Sequence, residues 1–183
     1  TSEPYPRLSV VREVRDDPGS AWIGPFASMG AAQLAVEALH EAFPIRQCTK
    51  HLPLRPAAGA SVCVLGEIGR CGAPCVGGIE QGAYDAVVGA VRAAMTADPG
   101  PLVERLATRI RTLVATERFE DAAAVRDRMS AFLRGATRAQ RTAPIARIPE
   151  LAAARRTDDR GWELVLVRHG RLAGTARVGR LDD

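Results

Sequence analysis

Four cysteines stand within 28 residues, at Cys48, Cys63, Cys71 and Cys75, and the rest of the 183-residue chain has none. The segment that carries them is rich in Gly and Pro, lacks apolar periodicity and closes in Cys71-Gly72-Ala73-Pro74-Cys75. A loop from about Cys48 to Gly78 is too long to stand unsupported in a compact domain, so something else must order it. Four thiolates are a complete ligand set for a structural zinc or for an iron–sulfur cluster. Two disulfides are the competing use, and they need an oxidising compartment. No signal peptide opens the chain, and no apolar run approaches the roughly 20 residues of a membrane span. The expected location is therefore the cytoplasm, with no membrane partner and with a metal site preferred to disulfides.

Spacing leaves the two metals open. Structural zinc sites usually draw on two short C-x2-4-C pairs, whereas here Cys71 and Cys75 form the one close pair. Three clustered ligands and a remote fourth suit a cluster whose irons are spread apart. Gly66, Gly69, Gly72, Gly77 and Gly78 would let backbone N–H groups approach the sulfurs, which tunes such clusters. His51 could replace a thiolate, although a loop histidine is ordinarily a solvated one.

At this length one domain or two small ones are possible. With 46% hydrophobic but only 4% aromatic residues, Ala, Val and Leu must build the cores. The net charge is +4, and Lys50 is the one lysine among 25 basic residues. Arginine serves phosphate binding well through its fork, yet an excess of four spread thinly is no basic patch. Leu8–Val14 reads as a strand, Asp16-Asp17-Pro18-Gly19 as a turn, and Ala21-Trp22-Ile23 as a returning strand. Ser28 is the expected N-cap of a helix through Phe43, with Leu34, Val36, Leu39 and Phe43 on its apolar face and Pro44 as its stop. A second helix is expected over about 80–95, carrying Tyr84, Val87, Val88 and Val91.

Asp98-Pro99-Gly100-Pro101 breaks the chain. Beyond it Leu102, Leu106, Ile110 and Leu113, then Phe119, Ala122, Ala123, Met129 and Phe132, recur at helical spacing and predict a helical hairpin that ends at Gly135. About 35 residues cannot bury such a seam alone, so the hairpin packs on the rest of the chain or docks to a partner. Residues 136–160 read as an Arg- and Ala-rich linker, and Trp162–Val167 with Leu172–Val178 as a terminal β-hairpin turning at His169-Gly170-Arg171.

These pieces, in this order, resemble the middle of the UvrC family of DNA-repair nucleases. Trp22-Ile23-Gly24-Pro25-Phe26 and Phe43-Pro44-Ile45-Arg46-Gln47-Cys48 are similar to that family's Tyr-Phe-Gly-Pro-Tyr and Phe-Pro-x-Arg-x-Cys stretches. Gly69-Arg70-Cys71-Gly72-Ala73-Pro74-Cys75 is similar to its Gly-Arg-Cys-x-x-Pro-Cys run, and Phe119–Asp127 to its UVR motif. The resemblance implies a 4Fe-4S cluster held by Cys48, Cys63, Cys71 and Cys75, and a hairpin that docks to a UvrB-like protein. The residues of the family's GIY-YIG nuclease are missing, and its first RNase-H-like aspartate would fall near Pro149, so no complete catalytic site is expected in this chain. The pattern looks like actinobacterial proteins that join a DEDD-type exonuclease and a GIY-YIG domain to a truncated UvrC-like tail.

The expected architecture is α+β in three parts. Residues 1–97 form an iron–sulfur domain with a small N-terminal β-hairpin, 98–135 the UVR-like hairpin, and 136–183 a linker with the terminal β-hairpin. The expected function is a non-catalytic region that binds DNA or a partner and positions nuclease domains; a zinc-stabilised interaction adaptor is the alternative. Arg46, Lys50 and Arg70 are the expected phosphate contacts. Phe119, an aromatic flanked by charges as binding hot spots often are, is the expected contact to a UvrB-like protein or a second copy, with Glu120 and Arg126 of the same motif.

Overall fold

Ser28 opens the first helix through its side chain: Oγ accepts from the Ala31 N–H at 3.1 Å, satisfying one of the donors that every helix start leaves orphaned. Helix α1 runs Met29–Ala42 and ends at Phe43, as the Pro44 stop predicts. The computed structural model describes residues 3–13, 19–56 and 59–179. The face that α1 buries is made chiefly of Ala32, Ala35, Ala38, Leu39 and Ala42, while Leu34 is exposed. Small side chains here let neighbouring backbones come close, which a chain with few aromatics needs. After α1 the cysteine segment carries one turn of helix, α2 (Val64–Glu67), and a 3-10 turn at Pro74–Val76. Helix α3 spans Gln81–Thr96 and buries Tyr84, Val91 and Ala94.

The hairpin forms as its periodicity predicts. Helix α4 covers Gly100–Ala115 and α5 begins at Phe119. Glu117 takes φ +57 at the tip, and the Arg118 N–H closes the turn on the Leu113 carbonyl at 2.9 Å. The seam consists of Leu102, Leu106 and Leu113 against Ala122, Val125 and Phe132, each large side chain contributing about 2 kcal/mol. It does not close on itself. The same core contains Tyr5, Leu39, Phe43, Tyr84 and Val91. Charges secure this packing: Arg105 donates to the Ala42 carbonyl at 2.7 Å and lies over the Phe43 ring at 4.9 Å. From α5, Arg128 reaches Glu41 at 2.6 Å and Glu37 at 3.2 Å.

Three expectations are corrected. The N-terminal β-hairpin is absent among the described residues: no residue there has strand pairing, and Val14 to Pro18, which hold most of its turn, lie outside them. Gly135 does not end the hairpin. Helix α5 continues to Ala146, and Gly135 is buried under the Phe26 ring, where a Cβ would lie 2.3 Å from Cε1. Its missing side chain serves a close approach rather than a helix stop. The Arg- and Ala-rich stretch is no linker throughout, because Glu150–Arg156 forms a strand, β1, ahead of β2 (Trp162–Arg168) and β3 (Arg171–Val178).

By contacts the chain divides into residues 1–136 and 137–183. The second unit's sheet is antiparallel in the order β1-β2-β3. Its β2–β3 turn uses φ +47 at His169 and +74 at Gly170, the double positive φ of a two-residue turn matched to strand twist. Cross-strand ion pairs join Arg155 to Glu163 at 2.6 Å and Arg168 to Glu150 at 2.7 Å. The fold class is α+β, five α-helices and one three-stranded sheet among the described residues. No helix among them is long and apolar enough to cross a membrane.

Candidate functional site

The cysteine segment is held by buried polar groups that bind its backbone. Arg46 follows Pro44-Ile45 out of α1 and is 0% exposed, the one buried charged residue among those described. Its fork is engaged along both arms: Nε donates to the Tyr5 carbonyl at 2.5 Å, and Nη1 to the carbonyls of Cys48 at 3.0 Å and Lys50 at 2.6 Å. Nη1 also stands 3.6 Å from Cys48 Sγ, and Nη2 pairs with Glu3 at 2.6 Å. Burial alone would lower the Arg46 pKa. The bonds to Cys48 and Glu3 outweigh it and hold the pKa above its ordinary value. From α3, the Tyr84 hydroxyl donates to the Pro6 carbonyl at 2.7 Å and accepts from the Arg46 N–H at 3.2 Å. Burial pushes its pKa up to about 12, against the pull of Arg46 and with help from Cys71 and Cys48. Tyr5 meets Tyr84 edge-on at 5.3 Å and donates to the Leu54 carbonyl at 3.3 Å.

The thiols share one neighbourhood on this frame. Cys63 is exposed, and Cys48, Cys71 and Cys75 are half-buried, all unbridged. Burial pushes the Cys71 thiol up, the Ala73 N–H opposes this, and the charges of Cys48, Cys63 and Cys75 raise it further. That mutual repulsion is what a bound cation would reverse. Among the described residues no three His, Cys, Asp or Glu side chains are gathered tightly enough for a single metal ion, which with four thiolates needs sulfurs about 3.8 Å apart. The donor set fits a cysteine-held cluster in kind: four sulfurs within electrostatic reach, one already facing a backbone N–H (Ala73 to Cys71 Sγ, 3.4 Å) and one a guanidinium.

The glycines act otherwise than predicted. The N–H groups of Gly66, Gly69, Gly72, Gly77 and Gly78 donate to the carbonyls of Cys63, Gly66, Pro44, Pro74 and Ala73. They shape the loop, and the N–H facing a sulfur belongs to Ala73, which adopts φ +50 to deliver it. Side chains are excluded for a packing reason at Gly72, where a Cβ would meet Ile79 at 3.0 Å. His51 is exposed.

The expected phosphate contacts separate. Lys50 and Arg70 are exposed, and Arg70 lies near enough to His40 to help burial hold that imidazole's pKa down, against Glu37. Arg46 is withdrawn from solvent and committed to Glu3 and three carbonyls, so it has no fork left for phosphate. At the hairpin tip Phe119 is 62% exposed, and Val114, Glu120 and Arg126 are also exposed. Sequence reasoning missed Glu3 and Tyr5, which carry no motif, and took Arg46 for a surface cation. Its apolar neighbours Pro44 and Ile45 were the available signal that it is buried.

This arrangement belongs to a known class. The chain matches the family described as UvrC/Cho excinuclease, middle domain, over residues 1–94. It is 36% identical over 133 residues, 72% of its length, to the UvrABC system protein C of Nitratidesulfovibrio vulgaris, and covers 18% of that protein. It is 35% identical over 132 residues to the Thermus thermophilus protein of the same name, with 72% of this chain and 22% of that protein covered. With the Desulforudis audaxviator protein the likeness is 32% over 175 residues, 94% of this chain and 27% of that protein. The chain thus belongs to the UvrC/Cho excinuclease middle-domain family, and it spans roughly a fifth to a quarter of these relatives' length. No solved structure matches it.

Proposed function

We propose that this chain is the non-catalytic iron–sulfur and docking region of a UvrC-like nucleotide-excision-repair nuclease. In this reading Cys48, Cys63, Cys71 and Cys75 hold one 4Fe-4S cluster, and the region binds DNA and a UvrB-like protein so as to position nuclease domains. The observation that carries the reading is the common neighbourhood of the four thiols within a family whose relatives are UvrABC system proteins. A bound cluster would draw the thiols together and offset the mutual charge that, after burial, raises the Cys71 thiol. The cluster supplies the ordering centre that a segment with little core of its own requires.

The charge distribution supports the DNA part of this reading. Residues 1–136 carry fifteen basic and fifteen acidic side chains, whereas 137–183 carry ten and six, so the whole excess of +4 sits in the second unit. Arg156, Arg160 and Arg171 are exposed there and are the phosphate contacts of this reading in the second unit, as Lys50 and Arg70 are, separately, in the first.

The experiment is anaerobic reconstitution of the full chain with iron and sulfide, followed by metal analysis and duplex binding across a salt series. The reading requires four irons per chain, broad absorption near ~400 nm, loss of both in Cys71→Ser, and a log–log salt slope that falls by about 0.9 for each phosphate contact removed. Colourless protein with stoichiometric zinc and no affinity for DNA refutes it in favour of an interaction adaptor.

A further inference from the structure

Arg46 poses a question that loop geometry alone does not answer. Its buried charge costs several kcal/mol to desolvate unless it is fully paired, yet neutral donors could hold the carbonyls of Tyr5, Cys48 and Lys50. What a neutral donor cannot supply is a positive charge 3.6 Å from Cys48 Sγ. On the far side of the same guanidinium, Glu3 stands 2.6 Å from Nη2 with its side chain 21% exposed. Cys48, Arg46 and Glu3 thus form a line of alternating charge once Cys48 is a thiolate.

Hydrogen bonds and charges beside ligand sulfurs set how readily an iron–sulfur centre accepts an electron. We propose that Arg46 is a positioning and charge-tuning residue of the cysteine-held cluster, and that Glu3 tempers it from the opposite side. This rests on the iron–sulfur reading above. An electron delivered by dithionite adds one negative charge to the cluster, and the guanidinium stabilises that charge while the Glu3 carboxylate opposes it. The two residues therefore act on the reduction potential with opposite signs. Lysine in place of Arg46 keeps the charge but cannot span three carbonyls and a carboxylate.

The test is a dithionite titration of the reconstituted full chain, wild type against Glu3→Gln, Arg46→Gln and Arg46→Lys, with iron and sulfide quantified on each sample. Glu3→Gln should retain its iron and shift the midpoint potential to more positive values. Arg46→Gln should shift it to more negative values, and Arg46→Lys should fall between that variant and the wild type. If Arg46→Gln takes up no iron, the Glu3→Gln and Arg46→Lys shifts decide. An unmoved potential in Glu3→Gln, or shifts of the same sign in both neutral variants, reduces Arg46 to a loop support and overturns the proposal while the cluster stands. A wild-type chain that takes up zinc and no iron overturns both.

Discussion

Replacing Tyr84 by Phe removes one oxygen and leaves two backbone groups without their partner. The Arg46 N–H belongs to a residue with no exposure, so water cannot replace the lost bond, and an orphaned buried donor costs about 1–3 kcal/mol. The Pro6 carbonyl, bonded at 2.7 Å, belongs to a half-buried residue; partial access to water limits its cost to about 1 kcal/mol. Relief from desolvating the hydroxyl returns part of this, so the expected loss is about 2 kcal/mol, or roughly 4–8 °C for a chain of this size. Tyr5→Phe is the internal control, because its hydroxyl makes a 3.3 Å bond to one carbonyl and its loss should cost under about 1 kcal/mol. Urea denaturation followed by circular dichroism, together with hydrogen exchange at the Arg46 amide, measures both. Equal losses in the two variants, with Arg46 exchange unchanged, would refute the bridging role of Tyr84.

Tyr84 also predicts an alkaline weakness. Its folded pKa of about 12 exceeds the unfolded value of about 10, so the contribution of the neutral phenol is intact below about pH 10 and drains away between about 10 and 12. Denaturation over that range should show a decline that is absent from Tyr84→Phe. Gly135→Ala gains about 1 kcal/mol of helix propensity but overpacks Phe26 at a cost of about 1–3 kcal/mol; the net result should be destabilising, and Phe26→Leu in the same chain should relieve it. A stabilised single variant, read by thermal melting, would show that the ring moves aside freely. Phe119→Ala should abolish association with a UvrB-like hairpin in a pull-down or by calorimetry while changing the chain's stability by less than about 1 kcal/mol; a loss of several kcal/mol marks Phe119 as core.

The parts legible in sequence were those with local chemistry. Ser28, Pro44 and the breaker at 98–101 fix helix ends through caps and missing donors, and the structure places α1 and α4 accordingly. His169-Gly170 announces its turn because few residues tolerate positive φ. Strand β1 was illegible because Glu150-Leu151-Ala152-Ala153-Ala154-Arg155-Arg156 has low β-propensity and gains its state from pairing with β2. Gly135 misled for a related reason: the same residue that ends helices also admits a neighbour's ring, and sequence does not reveal that Phe26 arrives there. At the site, the cysteines were conspicuous and their supports were not. Glu3 and Tyr5 act across 43 and 41 residues, a distance over which no pattern of spacing carries information.

That remoteness has a consequence for how the site comes into being. Arg46 and Tyr84 are separated by 38 residues, which at synthesis rates of about 5–20 residues per second means that Cys48 waits roughly 2–8 s for its clasp. During that interval Cys63, Cys71 and Cys75 are made in order on a frame that has Glu3, Tyr5 and Arg46 but not yet Tyr84. In the cluster reading proposed above, the order of synthesis would count beside affinity, because all four thiols are made before Tyr84 can close on Pro6.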